Sequence, residues 1–270
     1  MRVFVTLFLL FVWSVPGIAQ AQLTGREMDP QQVIDNARKT LAEMAVHPDY
    51  GAMLDDLKTA RGVLIFPRVI RGGFFVGGSG GLGVFMAWDE DRGDYSPVAF
   101  YSIGSVSIGL QFGGEVAEVV IVARTQSAVD SLFATAVRLG GDASVAAGPV
   151  GMGRRATVTA DFLSYARSQG AFIGMSLEGS MLRVRDDFNE SYYGQKLRPV
   201  QIIEARRVDD PRTQGLRDDL RGFRQESVTP TPTPPPQDHE ASELPRSQEP
   251  EPVAPGSGGL MVEEFEVESI

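Results

Sequence analysis

Thirteen glycines lie between Gly62 and Gly114, and that density limits what the stretch can become. Glycine has no side chain to pack and surrenders the most backbone freedom on folding, so a continuous helix is excluded. The segments GVLIF, GGFFVGG and GLGVFMAW are short, apolar and rich in β-branched and aromatic residues, which predicts strands. SIGSVSIGLQFGG alternates cleanly. Val106, Ile108, Leu110 and Phe112 fall on one face, with Ser105, Ser107, Gly109 and Gln111 on the other. EVAEVVIV reads as one more strand. The expected fold is a single α+β domain: a glycine-rich antiparallel or barrel-like sheet with packed helices, its glycines placed at turns, bulges and tight bends.

Gly78, Gly80 and Gly83 also fit G-x-G-x-x-G, the spacing that lets a backbone approach a dinucleotide pyrophosphate. That fingerprint needs a strand, a glycine turn and then a helix, with an acid about twenty residues on. Here GLGVFMAW continues as a strand, and Asp89, Glu90, Asp91 and Asp94 come too early. No nucleotide and no cofactor is expected.

Helices frame this β region. Residues 29–46 carry Asp29 as an N-cap, Pro30 in the first turn, and Val33, Ile34, Ala37, Leu41 and Met44 on one face. His47-Pro48 ends that helix, and Asp49 is expected to cap a second one with Met53, Leu54 and Leu57 inward. Ser127–Leu139 reads as a helix with Ser127 and Asp130 as a capping pair, stopped by Gly140. Further strands are expected over about 155–168 and 171–185, and a polar helix over 212–224.

The ends differ in texture. MRVFVTLFLLFVWSVPGIAQAQ has one base, an apolar stretch from Val3 to Val15 that is short for a bilayer span, and Ala19-Gln20-Ala21. It reads as a signal peptide over 1–21, cleaved after Ala21, which places the mature protein in the periplasm or outside the cell. An uncleaved anchor is the alternative. With no cysteine in the chain, neither a lipobox thioether nor a disulfide can form. Residues 226–270 carry −9 of the net charge of −10, while residues 22–225 carry −2. The proline-rich acidic tail is expected to be disordered, and it could recruit a protein partner. The nearly neutral remainder lacks the basic surface of a nucleic-acid binder.

Catalysis has little to work with. His47 and His239 are the two histidines, so Cys/His and Ser/His nucleophiles and histidine-rich metal sites are nearly excluded, and no metal site is expected. Asp161 and Glu178, on predicted neighbouring strands, could form an acid–base pair if a cleft separated them. The alternative is that each is satisfied by backbone or arginine. Asp142 in GGDAS reads as a turn residue bonding nearby amides, and Glu115 could do the same. The protein is expected not to be an enzyme. Lys58, Arg61, Arg68 and Arg71 are close enough in sequence to form one anion-binding patch if the second helix folds back on the first strand. Ion pairs with Asp55 and Asp56 are the alternative. Arg154-Arg155 is a second basic candidate.

ARGVLIFPRVIRGGFFVGGSGGLGVF, YSPVAFYSIGSVSIGLQFGGE, LGGDASVAAGPVG, SYARSQGAFIGMSLEGS and YYG, in that order, resemble the SYLF domain family over about residues 30–195. Tyr95 stands where the family more usually has tryptophan. With the leader, the resemblance implies a secreted bacterial branch. Eukaryotic members of the family bind phosphoinositide membranes, and yeast-type members bind actin. The resemblance thus implies a non-enzymatic module of the bacterial envelope that binds anionic lipid, with Lys58, Arg61, Arg68 and Arg71 as the lipid-binding candidates. An adaptor that recruits a protein partner through its tail is the alternative, and a carboxylate-based hydrolase a third.

Overall fold

The glycine-punctuated stretch forms two long antiparallel strands, β1 (Gly62–Gly73) and β2 (Val76–Asp89). The computed structural model describes residues 29–73, 76–108, 113–148, 159–168 and 177–225. All of them belong to the first of the chain's two units, 1–230 and 231–270. The leader, Leu110, Phe112, Arg154-Arg155 and the acidic tail lie outside the described residues. Further strands are β3 (Asp94–Tyr95), β4 (Ala99–Ile108), β5 (Gly113–Ala123), β6 (Ala136–Arg138), β7 (Val145–Ala147), β8 (Phe162–Ser168) and β9 (Met181–Val184). They build one sheet in the order β6-β9-β4-β2-β1-β5-β8-β7, with β3 paired to β2. Only the β7–β8 pairing among them is parallel.

The sheet has to curl. β6 and β7 stand at opposite ends of the strand order, yet residues 139–144 join them. In a flat sheet eight strands at about 4.8 Å spacing would hold those ends roughly 34 Å apart. A link that short spans at most about 25 Å. Within it Gly140 takes φ +79°, a left-handed conformation open to glycine, and Leu139 bridges to Ala143.

Both faces of one half of this curled sheet are packed. Inward lie Leu64, Phe66, Phe85, Tyr101, Val119, Ile121 and Phe162; outward, under the helices, lie Val63, Ile65, Val84, Met86, Val120, Val122 and Tyr165. The alternation of β1 resets at Pro67, where the register against both neighbours shifts. Proline has no N–H for the ladder, and this bulge puts Phe66 and Val69 on the same inner face. Gly83 lies against it. A Cβ there would sit 2.4 Å from the Ile65 carbonyl oxygen and 2.5 Å from Phe66 Cδ1. The three glycines of the G-x-G-x-x-G match are thus all interior to β2, and no helix follows them.

α1 (Pro30–Ala45) starts at Asp29, whose carboxylate accepts from Gln31 N, and buries Val33, Ile34, Ala37, Leu41 and Met44 as its periodicity predicts. With α2 (Gly51–Thr59) and α6 (Gln214–Gln225) it covers the outer face. α2 is entered through a 3-10 turn capped by His47, whose Nδ1 accepts from Asp49 N; Asp49 is not the cap. The helix expected over 127–139 is two elements. α3 (Gln126–Ser131), capped by Thr125, stops early, and Ala136–Arg138 becomes β6 against β9. The buried pair Val137 and Leu139, flanking exposed Arg138, has the period of a strand, and pairing with β9 decides the matter. β8 and β9 are shorter than the predicted strands, with 149–158 and 169–176 outside the described residues. α4 (Asp186–Tyr193) and α5 (Pro199–Ile203) have no counterpart in the sequence reading, whereas the polar helix expected over 212–224 is α6.

Candidate functional site

The helices stop short of the end of the sheet. Their cover on the outer face ends at the row Val120–Ile65–Val84–Phe100. Arg167 closes that border: it pairs with Glu43 of α1 and with Glu118 of β5, which also accepts from Thr40 Oγ1 at 3.0 Å. Beyond it, Arg68, Leu82, Ser102 and Arg183 make the next outward row. Then come Val116, Ile70, Gly80, Gly104 and Met181, and after them Gly114, Gly72, Gly78 and Val106. Ile70 is 48% exposed, Val116 36% and Val106 82%. The glycines between them meet no side chain: nothing lies within 4 Å of a Cβ built on Gly72, and the nearest atom to one on Gly80 is 4.0 Å away. The result is a smooth sheet surface with isolated apolar side chains and arginines along one border.

On the inner face of the same half runs a polar row, Glu115–Arg71–Ser79–Ser105. The two serine hydroxyls lie 2.8 Å apart, and Glu115 Oε1 is buried with no hydrogen-bond partner among the described residues.

The four predicted basic residues are not brought together. Lys58 ends α2 and pairs with Asp55 at 2.9 Å; Arg61 pairs with Glu90. Arg61 immediately precedes β1 and Arg68 lies seven residues on, roughly 23 Å away at the rise of a strand. Arg68 points outward and Arg71 inward, because the side-chain period of a strand is two. Arg68 alone belongs to the uncovered outer face. Arg138 and Arg183 were not singled out in the sequence. Their signal was a lone exposed arginine beside a buried apolar residue in AVR and MLRV.

The carboxylates are structural where the structure describes their partners. Asp161 accepts from Ser144 N at 3.2 Å, Ser144 Oγ at 2.6 Å and Thr125 Oγ1 at 3.3 Å, and the hydrogen bonds from Ser144 foremost hold its carboxyl below the ordinary range. β8 and β9 are not neighbours: four strands stand between them in the sheet. Glu178 packs its stem near Gly140. Asp142 accepts from Arg138 N at 2.8 Å, the turn role read from GGDAS. His47 serves as a cap, and among the described residues no cluster of His, Cys, Asp or Glu could hold a metal ion. No helix among the described residues is long and apolar enough to cross a membrane.

Comparison with known proteins agrees with the SYLF resemblance. Residues 104–223 match the family model described as "Ysc84: Las17-binding protein actin regulator". Over 160 residues, 56% of this chain, it is 33% identical to LAS seventeen-binding protein 3 of Saccharomyces cerevisiae, covering 34% of that protein. Over 150 residues, 53% of this chain, it is 35% identical to SH3 domain-containing YSC84-like protein 1 of Homo sapiens, covering 43% of it. The chain thus spans well under half the length of these relatives. No solved structure matches it significantly. Over residues 104–223 the chain is thus similar to the Ysc84, or SYLF, family.

Proposed function

We propose that this protein is a non-enzymatic module that binds anionic lipid surfaces through the uncovered outer face of its sheet. The observation that carries this reading is the exposure of Ile70, Val106 and Val116 on a glycine-smoothed surface bordered by Arg68, which has no ion-pair partner among the described residues. A smooth surface with isolated apolar side chains and cations at its margin suits the boundary between headgroups and acyl chains. Residues 22–225 carry a net charge of only −2, so long-range attraction is weak and contact must be local. Export by the leader, cleavage after Ala21 and an envelope location belong to the same proposal. Intact-mass measurement of extracted protein tests them, since a species starting at Met1 means the leader is retained.

Flotation with phosphatidylglycerol, cardiolipin and neutral vesicles tests the lipid reading. Ile70→Asp/Val106→Asp alters exposed positions and leaves the core intact. It is expected to weaken binding at least tenfold. Arg68→Gln is expected to weaken it about fivefold, at roughly 1 kcal/mol per base near an anionic surface. Salt weakens binding as well, because exposed charge is screened. Wild-type protein that floats with no vesicle overturns the reading. The alternative then gains: the family description and the yeast relative's name both refer to binding a protein, Las17, and an adaptor would capture a protein partner instead.

A further inference from the structure

At one margin of the uncovered face, where β9 leaves β4, lies an open cleft of about 640 Å³. Its outward-facing lining is Arg138, Met181, Arg183, Ser102, Gly104 and Val106. Arg138 is the cross-strand partner of Met181, and Arg183 stands two residues further along the same strand. The two arginines are therefore diagonal neighbours on one face, about 7–8 Å apart. Ser102 lies directly opposite Arg183.

The cleft has a one-signed electrostatic character. No acidic residue lines it, and among the described residues neither guanidinium has an ion-pair partner. A second cleft is the reverse. It is lined by Arg61 and Arg92 but also by Asp89, Glu90, Asp91 and Glu204, and its two arginines are paired with Glu90 and Asp89. Arg138 is also held in place. Its backbone N–H donates to Asp142, its carbonyl accepts from Gly141, Asp142 and Ala143, and its aliphatic stem lies against Gly141. Two planar donor forks, with the Ser102 hydroxyl across from Arg183, match a tetrahedral dianion better than a single carboxylate. Val106 and Met181 supply an apolar flank on the side facing the lipid-binding surface.

We propose that this cleft binds a phosphate monoester, with Arg138 and Arg183 as the forks and Ser102 as an added donor. Set beside the proposed lipid face, and resting on that reading for its source, the ester is the headgroup of an anionic lipid. The same chemistry would take a soluble phosphate ester.

The test uses the full chain and two probes. One is phosphatidylcholine vesicles carrying either phosphatidic acid, a monoester, or phosphatidylglycerol, a diester, at matched zeta potential. The other is glycerol 3-phosphate in solution, followed by calorimetry. The wild type is expected to prefer phosphatidic acid about tenfold. Arg138→Gln/Arg183→Gln is expected to lose the preference while still binding both vesicle types through Arg68, Ile70 and Val106. Arg138→Lys/Arg183→Lys keeps the charge and is expected to lose the preference too, since the forks are gone. Glycerol 3-phosphate binding that is saturable and arginine-dependent, with no preference between vesicles, supports the cleft and assigns it a soluble ligand. If no vesicle is bound at all, the lipid reading fails, and that same solution measurement still decides the cleft. A preference that survives in the glutamine variant, or glycerol 3-phosphate bound equally by wild type and variant, overturns the proposal.

Discussion

The two halves of one sheet share strands but not chemistry. Along β1, Val63 to Phe66 are all buried, two facing each way, while Arg68, Ile70 and Gly72 beyond the bulge are exposed. Along β2 the same division falls between Val84–Ala87 and Ser79–Leu82. In the covered half every outward position is claimed by a helix: Val63, Ile65, Val84 and Val120 pack with residues of α1, α2 and α6. In the uncovered half the outward positions are glycine, a serine, an isolated apolar side chain or an arginine. A sheet bearing helices on one face throughout would have continued its large outward residues to the end of the strands. This one exchanges them for glycine on four adjacent strands at once. Two kinds of glycine are therefore present, one forced by packing and one not, and the second kind makes the surface.

The largest effect that separates the halves is expected from Phe66→Ala against Ile70→Ala, four residues apart on β1. Phe66 is fully buried in the inner core, and its truncation is expected to cost about 3–5 kcal/mol. At about 2–4 °C per kcal/mol for a domain of this size, the melting temperature falls by roughly 10 °C. Ile70→Ala is expected to stay within about 0.5 kcal/mol. Thermal unfolding of both variants checks this; equal losses would mean that the uncovered face is packed in solution.

Next comes a pair of glycines on β2. Gly83→Ala pushes a Cβ into the Ile65 carbonyl and the Phe66 ring at the bulge and is expected to cost about 1–3 kcal/mol. Gly80→Ala meets open space and is expected to be neutral, or to gain up to about 1 kcal/mol from the lower entropy of the unfolded chain. Denaturant midpoints of the two variants suffice. A loss at Gly80 as large as at Gly83 would erase the distinction between the two kinds of glycine.

These two comparisons also mark what was legible in the sequence. The glycine density, the alternation of 102–108 and the apolar stripe of α1 declare strands and a helix by local pattern alone. The rejection of a dinucleotide loop follows from the same pattern, since Gly83 is followed by more strand. Which glycines are forced was not legible: Gly83 is tight only because Pro67 on another strand opens a bulge opposite it. The site suffered most. Arg61, Arg68 and Arg71 are near in sequence, but a strand spreads them over its length and over two faces. Arg68 and Arg183, far apart in sequence, come to share one row through β2 and β4. Residues 136–138 misled for a related reason: spacing that suits a helix also suits a strand, and only the partner strand β9 chooses.

The border between the halves gives a smaller effect. Arg167 joins Glu43, Glu118 and, through Glu118, Thr40, so it ties α1 to β5 and β8 at the last covered row. Its own burial works against the charge, while the hydrogen bonds to Glu43 and Glu118 hold it. Because these groups are partly exposed, Arg167→Ala is expected to cost only about 1–2 kcal/mol after allowance for solvent screening. The melting temperature of the variant should also respond less to added salt than that of the wild type. An unchanged stability would mean that apolar packing alone fixes the edge of the helical cover.

The smallest effect concerns the turn that lets the sheet curl. Asp161 lies just before β8, and its carboxylate holds Ser144 in the link between β6 and β7 by accepting from both its N–H and its hydroxyl. Those bonds favour the ionised form, so the folded-state pKa is lowered. Between the lowered value and the unfolded value of about 3.9, the unfolded chain binds more protons, so stability rises with pH there. The contribution is complete above the unfolded value and is lost as pH falls through the folded one. Asp161→Asn removes the charge but keeps an acceptor, and is expected to cost at most about 1 kcal/mol at neutral pH. Below about pH 4 the wild type should lose stability more steeply than the variant, so that the two curves converge in acid. Melting temperatures from pH 2.5 to 7 for both proteins test this. Parallel curves would mean that Asp161 contributes shape without charge, and that the curl is held by the pairing of β7 with β8 and the Leu139–Ala143 bridge alone.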